Sequence, residues 1–396
     1  MITCKHLRPV ALLALALSAL LAPAAASAAD SAASAKKDAL AFERAEHLRR
    51  GVNFSHWFAQ EKNYSVQRLR TVVTGDDLRL IRGLGLDHFR LPVDAPPLMA
   101  WQRKEADGLA YMGELDRVVK EANQLGLAVI IDIHPSHEFR NQLSKGDGLK
   151  NFASLWEALA GHFAKTDPKL VFFEILNEPN QTNQDFNWNM HKVVAEKIRG
   201  VAPEHTIIAC CGSRTADIKG MLDIKKLLPL PNIIYTFHNY KPDAFSHQGA
   251  GWTTWAAHYK EFRNVPYPST PENVAKNIEQ VTSAKGKAVL KKYGEERWDG
   301  DRIDREVFTP AGNWSERNGV PVYVGEFGVL GGKVDPAMRA HCIHDMRVAL
   351  EKNHLYGAMW DYQTEFGLVK KAKYGAKAVP IPAIVEALGL TMPARE

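Results

Sequence analysis

Two glutamates in this chain stand where short apolar runs end. In Leu170-Val-Phe-Phe-Glu-Ile-Leu-Asn-Glu-Pro-Asn180, a run the length of one buried strand stops at Asn177, Glu178 and Pro179, residues that a strand interior disfavours. Far downstream, Pro321-Val-Tyr-Val-Gly-Glu-Phe-Gly328 repeats the arrangement and delivers Glu326 at its carboxyl end. Two carboxyl groups presented by two strand ends suit glycosidic bond cleavage. There one group holds a proton as an acid while the other stays ionised as nucleophile or base. One such glutamate alone is as readily a solvated loop carboxylate or a helix-capping partner. What separates these two from that reading is the company they keep.

The elements that must bring them together are parallel strands. Apolar runs at 51–55, 88–93, 128–134, 171–176, 206–210, 233–238, 322–326 and 356–361 read as strands, eight in all. Amphipathic stretches at 77–84, 112–125, 152–163, 186–198, 218–228, 338–350 and 384–388 read as the helices between them. Strands alternating with helices at this count predict an α/β fold, a (β/α)₈ TIM barrel, with an open doubly wound sheet as the alternative. The connection 239–319 after the sixth strand far exceeds the usual two to six residues. It carries Trp252, Trp255, Tyr267, Trp298 and Trp314, with helical patterns at 272–292 and 302–307. In a barrel such an insertion lies on the active-site face and is expected to wall the cleft. Trp298 and Trp314 are expected in core beneath it. Trp252 and Trp255, with Trp57 past the first strand, are candidate sugar platforms.

Read only at strand ends, the sequence yields Arg90, His134 and His137, Asn177 and Glu178, His238 and Tyr240, Glu326, and Trp360. Barrel chemistry sits where strands end. A nucleophilic carboxylate needs a cation and hydrogen-bond donors, which Arg90 and Tyr240 can supply. The acid needs a less polar setting and an adjustable neighbour such as His238. Asn177 can donate to a sugar 2-hydroxyl, and Trp360 offers a flat apolar face to a pyranose. Asp132, His134 and His137 could also be read as metal ligands, but no convergent set accompanies them at other strand ends, so neither metal nor cofactor is expected. Gly328-Val-Leu-Gly-Gly-Lys333 lacks both the spacing and the following Ser or Thr of a phosphate loop.

The 396 residues are 45% hydrophobic and 24% charged, an ordinary globular composition. Residues 1–28 read as a secretory signal peptide: Lys5 and Arg8 precede a short apolar core, and Ala26-Ser27-Ala28 follows as a cleavage site. Residues 29–49 look like a tether or a ragged first helix, structure starts at Arg50, and 50–396 form one catalytic domain. Losing Lys5 and Arg8 lowers the formal charge of +5 by two, too little and too dispersed for a nucleic-acid partner. No later run is long and apolar enough to span a bilayer. Besides Cys4, the cysteines are Cys210, Cys211 and Cys342, which allow at most one bridge, from the adjacent pair to Cys342.

In order along the chain, Gly51-Val-Asn-Phe54, Arg90-Leu-Pro92, Asp132-Ile-His134, Leu176-Asn-Glu-Pro179, His238-Asn-Tyr240, Gly325-Glu-Phe-Gly328 and Trp360 resemble the catalytic domain of glycoside hydrolase family 5. The resemblance covers about residues 50–390. It implies Glu178 as acid/base and Glu326 as nucleophile, with Arg90, His134, Asn177, His238, Tyr240 and Trp360 as the supporting shell. The family is retaining, so the carboxyl groups should stand roughly 5 Å apart. Pro135-Ser136-His137 departs from the pattern common in the family's cellulases, and Ser246-His-Gln-Gly-Ala-Gly-Trp252 looks like that of a bacterial subgroup. The implied activity is that of a periplasmic or secreted monomeric endo-β-1,4-glucanase acting on β-glucan. Alternatives are an exo-acting β-glucosidase or β-1,3-glucanase, a mannanase, a transglycosylase remodelling glucan, or a non-catalytic carbohydrate-binding barrel.

Overall fold

The computed structural model describes residues 37–181, 183–212, 216–252 and 257–393; the expected signal peptide, Cys4 and Trp255 lie outside them. Eight parallel strands close into a barrel in sequence order: β1 Gly51–Asn53, β2 His88–Val93, β3 Ala128–Ile133, β4 Val171–Glu174, β5 Thr206–Ala209, β6 Ile233–Asn239, β7 Val322–Phe327 and β8 Tyr356–Met359. Closure comes from β1 beside β8, with Gly51 opposite Ala358 and Val52 opposite Met359. All eight strands are buried on both faces, which is why they read as near-continuous apolar runs. The barrel is thus the expected (β/α)₈ architecture. Among the described residues, no helix is long and apolar enough to cross a membrane.

Alternation along the strands divides the interior into layers. The lower layer is apolar and aromatic: Ala128, Ile130, Phe172, Ile208, Ile234, Tyr323, Tyr356 and Ala358 pack with Ala45 and Leu48. Above it the inward positions two residues further along turn polar, at Asp132 after Ile130, Glu174 after Phe172 and Thr236 then His238 after Ile234. Outward positions belong to the larger core between strands and helices.

Order begins before Arg50. Helix Ala39–Ala45 and the turn Glu46–Leu48 cover the barrel floor. Asp38 caps the helix through Ala41 N–H and also accepts from Asn232 N–H, while Tyr356 donates to Glu46 at 2.8 Å. Within the stretch expected as a tether or a ragged first helix, residues 39–48 are a helical plug.

The long β6–β7 connection holds helices Pro271–Gln280, Ala284–Glu296 and Gly300–Ile303, a π turn Asp304–Phe308, and helix Thr309–Asn318. The last of these packs by β7 and serves as a barrel helix, so only the earlier part is an insertion. Trp298 and Trp314 are buried, as expected. Trp57 is not a cleft residue: it is buried, its indole N–H donating to Leu69 O at 2.7 Å and its ring packed against Phe54 and Phe58. Cys210, Cys211 and Cys342 are free and buried, without the bridge allowed by their count.

Leu48→Ala tests the floor plug. It should lower unfolding stability by about 2–5 kcal/mol, the cost of emptying a fully buried leucine site, measured by denaturant titration. A loss below 1 kcal/mol would make the segment peripheral.

Candidate active site

The site is built on Arg90, which points into the barrel from β2 and is wholly buried. Nε and Nη2 form a fork on Glu174 at 2.7 and 2.9 Å. Nη2 also donates to Asn177 Oδ1 at 2.9 Å, and Nη1 donates to Asn53 Oδ1 at 3.1 Å and to Glu326 Oε1 at 3.0 Å. All five N–H donors of the guanidinium are then engaged. Asp132 Oδ2 lies 3.0 Å from Nη2 as well, an ion pair beside hydrogens already spoken for. Burial opposes the charge on Arg90, yet the carboxylates of Asp132, Glu174 and Glu326 hold it well above its ordinary range. The acids outnumber the cation. Burial accordingly pushes Asp132 up to about 6 and raises Glu174 too, against the pull of Arg90.

From this hub a chain of polar groups runs to the third strand end. Asn177 Nδ2 lies 3.2 Å from His134 Nε2, and His134 Nδ1 lies 3.1 Å from Asp132 Oδ2. Since Asn177 Oδ1 receives Arg90, its Nδ2 must be the donor to His134, which puts the histidine proton on Nδ1. Burial lowers His134 to about 4, so the ring is neutral near pH 7. Its face stacks on Trp360, with centroids 5.9 Å apart and planes at 23°.

Glu326 sits on β7 and Glu178 on the turn after β4. Tyr240 donates to Glu326 Oε2 at 2.8 Å, so both oxygens of this carboxylate accept. His238 Nδ1 lies 2.9 Å from Glu178 Oε1 and 3.5 Å from Glu326 Oε2, between the two. Ligand atoms of Glu178, His238 and Glu326 lie within 4.8 Å of one another. Local irregularities make this possible. The β6–β7 register slips between Phe237 and His238 so that His238 faces Glu326, and β7 slips again against β8; such bulges re-aim side chains. A Cβ on Gly325 would come within 2.9 Å of His238 Nε2, so the glycine before Glu326 makes room for the ring.

Glu178 has φ +36°, a left-handed conformation that costs a non-glycine residue about 1–3 kcal/mol and recurs at functional sites. Its side chain remains 36% exposed. Burial pushes the Glu178 carboxyl up, but the hydrogen bond and charge of His238, with the charge of Arg140, outweigh it and hold the group below its ordinary value. His238 moves the other way: burial lowers it, while the charge of Glu326 and the bond to Glu178 raise it. Glu178 and His238 shift in opposite directions across one hydrogen bond, so the two titrate as a linked pair.

Of the residues singled out in the sequence, Arg90, His134, Asn177, Glu178, His238, Tyr240, Glu326 and Trp360 share one connected site. His137 does not: it opens helix His137–Gln142 just after its cap Ser136 and is exposed. The metal reading of Asp132, His134 and His137 fails with it, because both ring nitrogens of His134 are committed elsewhere. Trp252 stands at the rim, 57% exposed, 6.3 Å from Phe366. Sequence reading missed Asn53 and Glu174 and gave Asp132 no place in the Arg90 network. The available signal was one polar or charged residue set inside each run otherwise fit for burial, Asn53, Asp132 and Glu174.

A closed parallel barrel carrying two carboxylates at its strand ends, one fixed by arginine and tyrosine and one by histidine, defines the class of barrel glycosidases. Residues 50–365 match the Cellulase (glycosyl hydrolase family 5) family. The chain belongs to that family and is an endoglucanase-like glycoside hydrolase. Endoglucanase 3 of Fibrobacter succinogenes is 26% identical over 353 residues, 83% of this chain but only 51% of that protein, so the chain spans about half of this relative. Endoglucanase C of Acetivibrio thermocellus is 28% identical over 332 residues, 79% of this chain and 90% of that protein. The solved structure of Thermotoga maritima Cel5A with mannotriose superposes with a TM-score of 0.67 at 23% identity, covering 88% of this chain and 99% of the other. Cellulose synthase subunit Z of Clostridioides difficile gives 0.67 at 21%, covering 86% and 99%. These two likenesses concern the fold.

Arg90→Met would leave three buried carboxylates without their cation. At neutral pH it should cost about 3–5 kcal/mol of stability. Asp132 and Glu174, already raised, would rise further, so the native state would bind more protons than the unfolded chain and regain stability on acidification. The deficit should narrow as pH falls from the variant's higher Asp132 pKa toward about 6, where the wild-type carboxyl takes up its own proton. A deficit that is constant with pH in chemical denaturation would contradict this charge ledger.

Proposed function

We propose that this chain is a secreted or periplasmic retaining β-glycosidase, an endo-acting β-1,4-glucanase working as a monomer. Glu326 is the nucleophile and Glu178 the acid/base. The observation that carries the mechanism is the spacing: oxygens of the two carboxylates come within 4.8 Å of one another around His238. Retaining enzymes hold their carboxyl groups about 5–5.5 Å apart, whereas inverting ones leave about 6.5–9.5 Å for a water. The relatives named endoglucanases support the glucan substrate, and the leader-like residues 1–28 support export.

In the first half-reaction Glu326 attacks the anomeric carbon while Glu178 gives a proton to the leaving oxygen. In the second, Glu178 takes a proton from water as it displaces Glu326. Arg90 and Tyr240 aim Glu326 and stabilise its negative charge. The proton that Glu178 delivers is the one shared with His238, passed across the 2.9 Å contact when substrate displaces solvent from the partly open carboxylate. Asn177, its Oδ1 fixed by Arg90, presents the second Nδ2 hydrogen to a sugar 2-hydroxyl. Trp360, held flat by His134, receives the ring.

Glu326→Ala and Glu178→Gln should each remove most hydrolysis of unactivated substrate while leaving the fold intact. Azide should rescue Glu326→Ala with inverted product. Near-normal turnover in either variant would sink the assignment. Substrate is tested by viscosity loss and product analysis on carboxymethyl-cellulose, mixed-linkage β-glucan, β-1,3-glucan and mannan. Mixed oligomers released rapidly from β-1,4-glucan fit the endoglucanase. Inert polymers with only short oligomers cut, or products longer than the substrate, fit the exo-acting or transglycosylating alternatives instead.

The shared proton sets a pH expectation. Because His238 is raised above its ordinary value, the pair keeps its proton below that raised pKa and loses it as pH climbs through it. Loss of this proton should form the basic limb of kcat/KM. In His238→Asn the proton must reside on Glu178 alone, so the basic limb should move to lower pH. An unmoved limb would show that His238 does not hold it.

A further inference from the structure

The groups that share a proton between the two carboxylates also form a small cage. Among the described residues, one set of three histidine, cysteine or acidic side chains brings its ligand atoms together: Glu178, His238 and Glu326, within 4.8 Å of one another. Elsewhere such groups stop short of converging. On helix Pro336–Lys352, His341 and His344 flank Asp345 at 3.5 and 3.3 Å, yet three ligand atoms do not close on one point there. His238 Nδ1 is the corner of the cage, 2.9 Å from Glu178 Oε1 and 3.5 Å from Glu326 Oε2. A tetrahedral zinc with ligands at about 2.0–2.1 Å spaces them about 3.3 Å apart. The two measured edges fall on either side of that value.

The surroundings suit a cation. Asp132, Glu174 and Glu326 already press on Arg90, so a divalent charge at this end of the polar layer offsets an excess of acid. Glu178 stands on a turn and is partly exposed, so its carboxylate can move toward Glu326, and a fourth position stays open to water. A nitrogen among the donors favours zinc or copper over magnesium and calcium, which take oxygen. A second imidazole lies nearby. His247 Nδ1 is 2.9 Å from Ser246 Oγ, whose hydrogen goes to Tyr240 O, so the His247 proton sits on Nδ1 and Nε2 carries a free lone pair. Its ring packs edge-on against Tyr240 at 5.0 Å, outside the converging set. His247 is the rival ligand that a test must separate from His238.

We propose that Glu178, His238 and Glu326 form an inhibitory site for a zinc-like divalent cation, which shuts the enzyme by coordinating both catalytic carboxylates at once. The shutting rests on the catalytic roles proposed above; the binding does not. On binding, the proton held between His238 Nδ1 and Glu178 Oε1 leaves to solvent. Nδ1 and one oxygen of each glutamate then bond to the metal, and water takes the fourth position. Glu326 keeps Oε1 on Arg90 while Oε2, the acceptor of Tyr240, turns to the metal. The nucleophile has then lost its attacking oxygen and the acid its proton. Substrate and metal exclude each other.

The test uses the untagged protein, cleared of metal by a chelator, with zinc chloride as probe and magnesium chloride as control. Calorimetric titration reads binding, and initial rates on a dinitrophenyl β-disaccharide read inhibition. Zinc should raise KM with kcat unchanged, chelation should restore the rate, and magnesium should do neither. His238→Asn and Glu326→Gln should each weaken zinc binding by at least about tenfold, since loss of even an outer partner of a metal ligand costs about 10–100-fold. Glu326→Gln is read by calorimetry alone. His247→Phe should leave zinc affinity unchanged. No zinc binding by wild type, affinity retained in His238→Asn or Glu326→Gln, affinity lost in His247→Phe, or equal inhibition by magnesium would overturn the site. Zinc bound by wild type and lost in both ligand variants, yet without effect on turnover, would instead overturn the catalytic roles of Glu178 and Glu326.

Discussion

Five N–H groups of one guanidinium end on five acceptor atoms contributed by β1, β4, β7 and the turn that carries Glu178. No other side chain type could do this. Lysine offers three donors on a rotating ammonium, without the planar fork that locks onto Glu174. Because the fork fixes the plane of Arg90, the directions toward Asn53, Asn177 and Glu326 are fixed with it. The guanidinium is thus a rigid template laid across the polar layer of the barrel. Its charge is needed as much as its shape: Asp132, Glu174 and Glu326 could not share one dry interior without it. The excess of acid over base is then carried by Asp132, whose Oδ1 has no hydrogen-bond partner among the described residues and which is pushed up to about 6.

Given that template, the two catalytic candidates differ by what holds them rather than by what they are. Glu326 belongs to a strand, and both its oxygens accept from groups fixed in the barrel. Glu178 stands on a strained turn, partly open, with a histidine as its close partner. A group that must hand over and recover a proton benefits from a partner that can itself titrate, whereas a nucleophile benefits from partners that cannot. His238 lies between the two and couples them. Its position depends on the register slip of β6 against β7 and on the missing side chain of Gly325. The catalytic geometry is in this sense a property of irregular strand ends, built upon regular strands below.

The regular part was legible in the sequence. Strands buried on both faces are continuous apolar runs, and all eight fall where such runs occur. So were the residues at strand exits, because a polar residue after an apolar run is conspicuous. Glu174 was hidden for the opposite reason: it lies inside the run Val171–Glu174, and which alternate positions face the barrel interior is settled only by closure. Trp57 looked like a cleft aromatic because it follows β1, but helix Val66–Val72 returns across it and takes its N–H. His137 lies three residues beyond His134, yet the cap at Ser136 starts a helix that carries it outward. Residues 39–48 are short and partly polar. Their burial comes from the barrel floor they cover, a partner that local pattern does not reveal.

The closed hydrogen-bond network around Arg90 also limits where substrate choice can reside. Its donors are saturated and its plane locked, so it can aim Glu326 but has nothing left with which to tell one sugar chain from another. Discrimination must come from groups with unspent hydrogen-bonding capacity or open faces, and these lie on the loops. Asn177 retains one Nδ2 hydrogen, Trp360 one face, His247 one lone pair and Trp252 most of its ring. The first two follow directly from the barrel strands, β4 and β8, and lie beside Arg90 and His134. The latter two sit on the segment 246–252 after β6, which is held at Val265, Leu330 and Tyr259 and, through the Ser246 hydroxyl, at the carbonyl of Tyr240, the partner of Glu326. Trp252, exposed and packed on Phe366 rather than on Tyr240, is the member of this segment that can change without disturbing the charges around Arg90. Loop-borne specificity on a fixed barrel follows here from hydrogen-bond saturation at a single arginine.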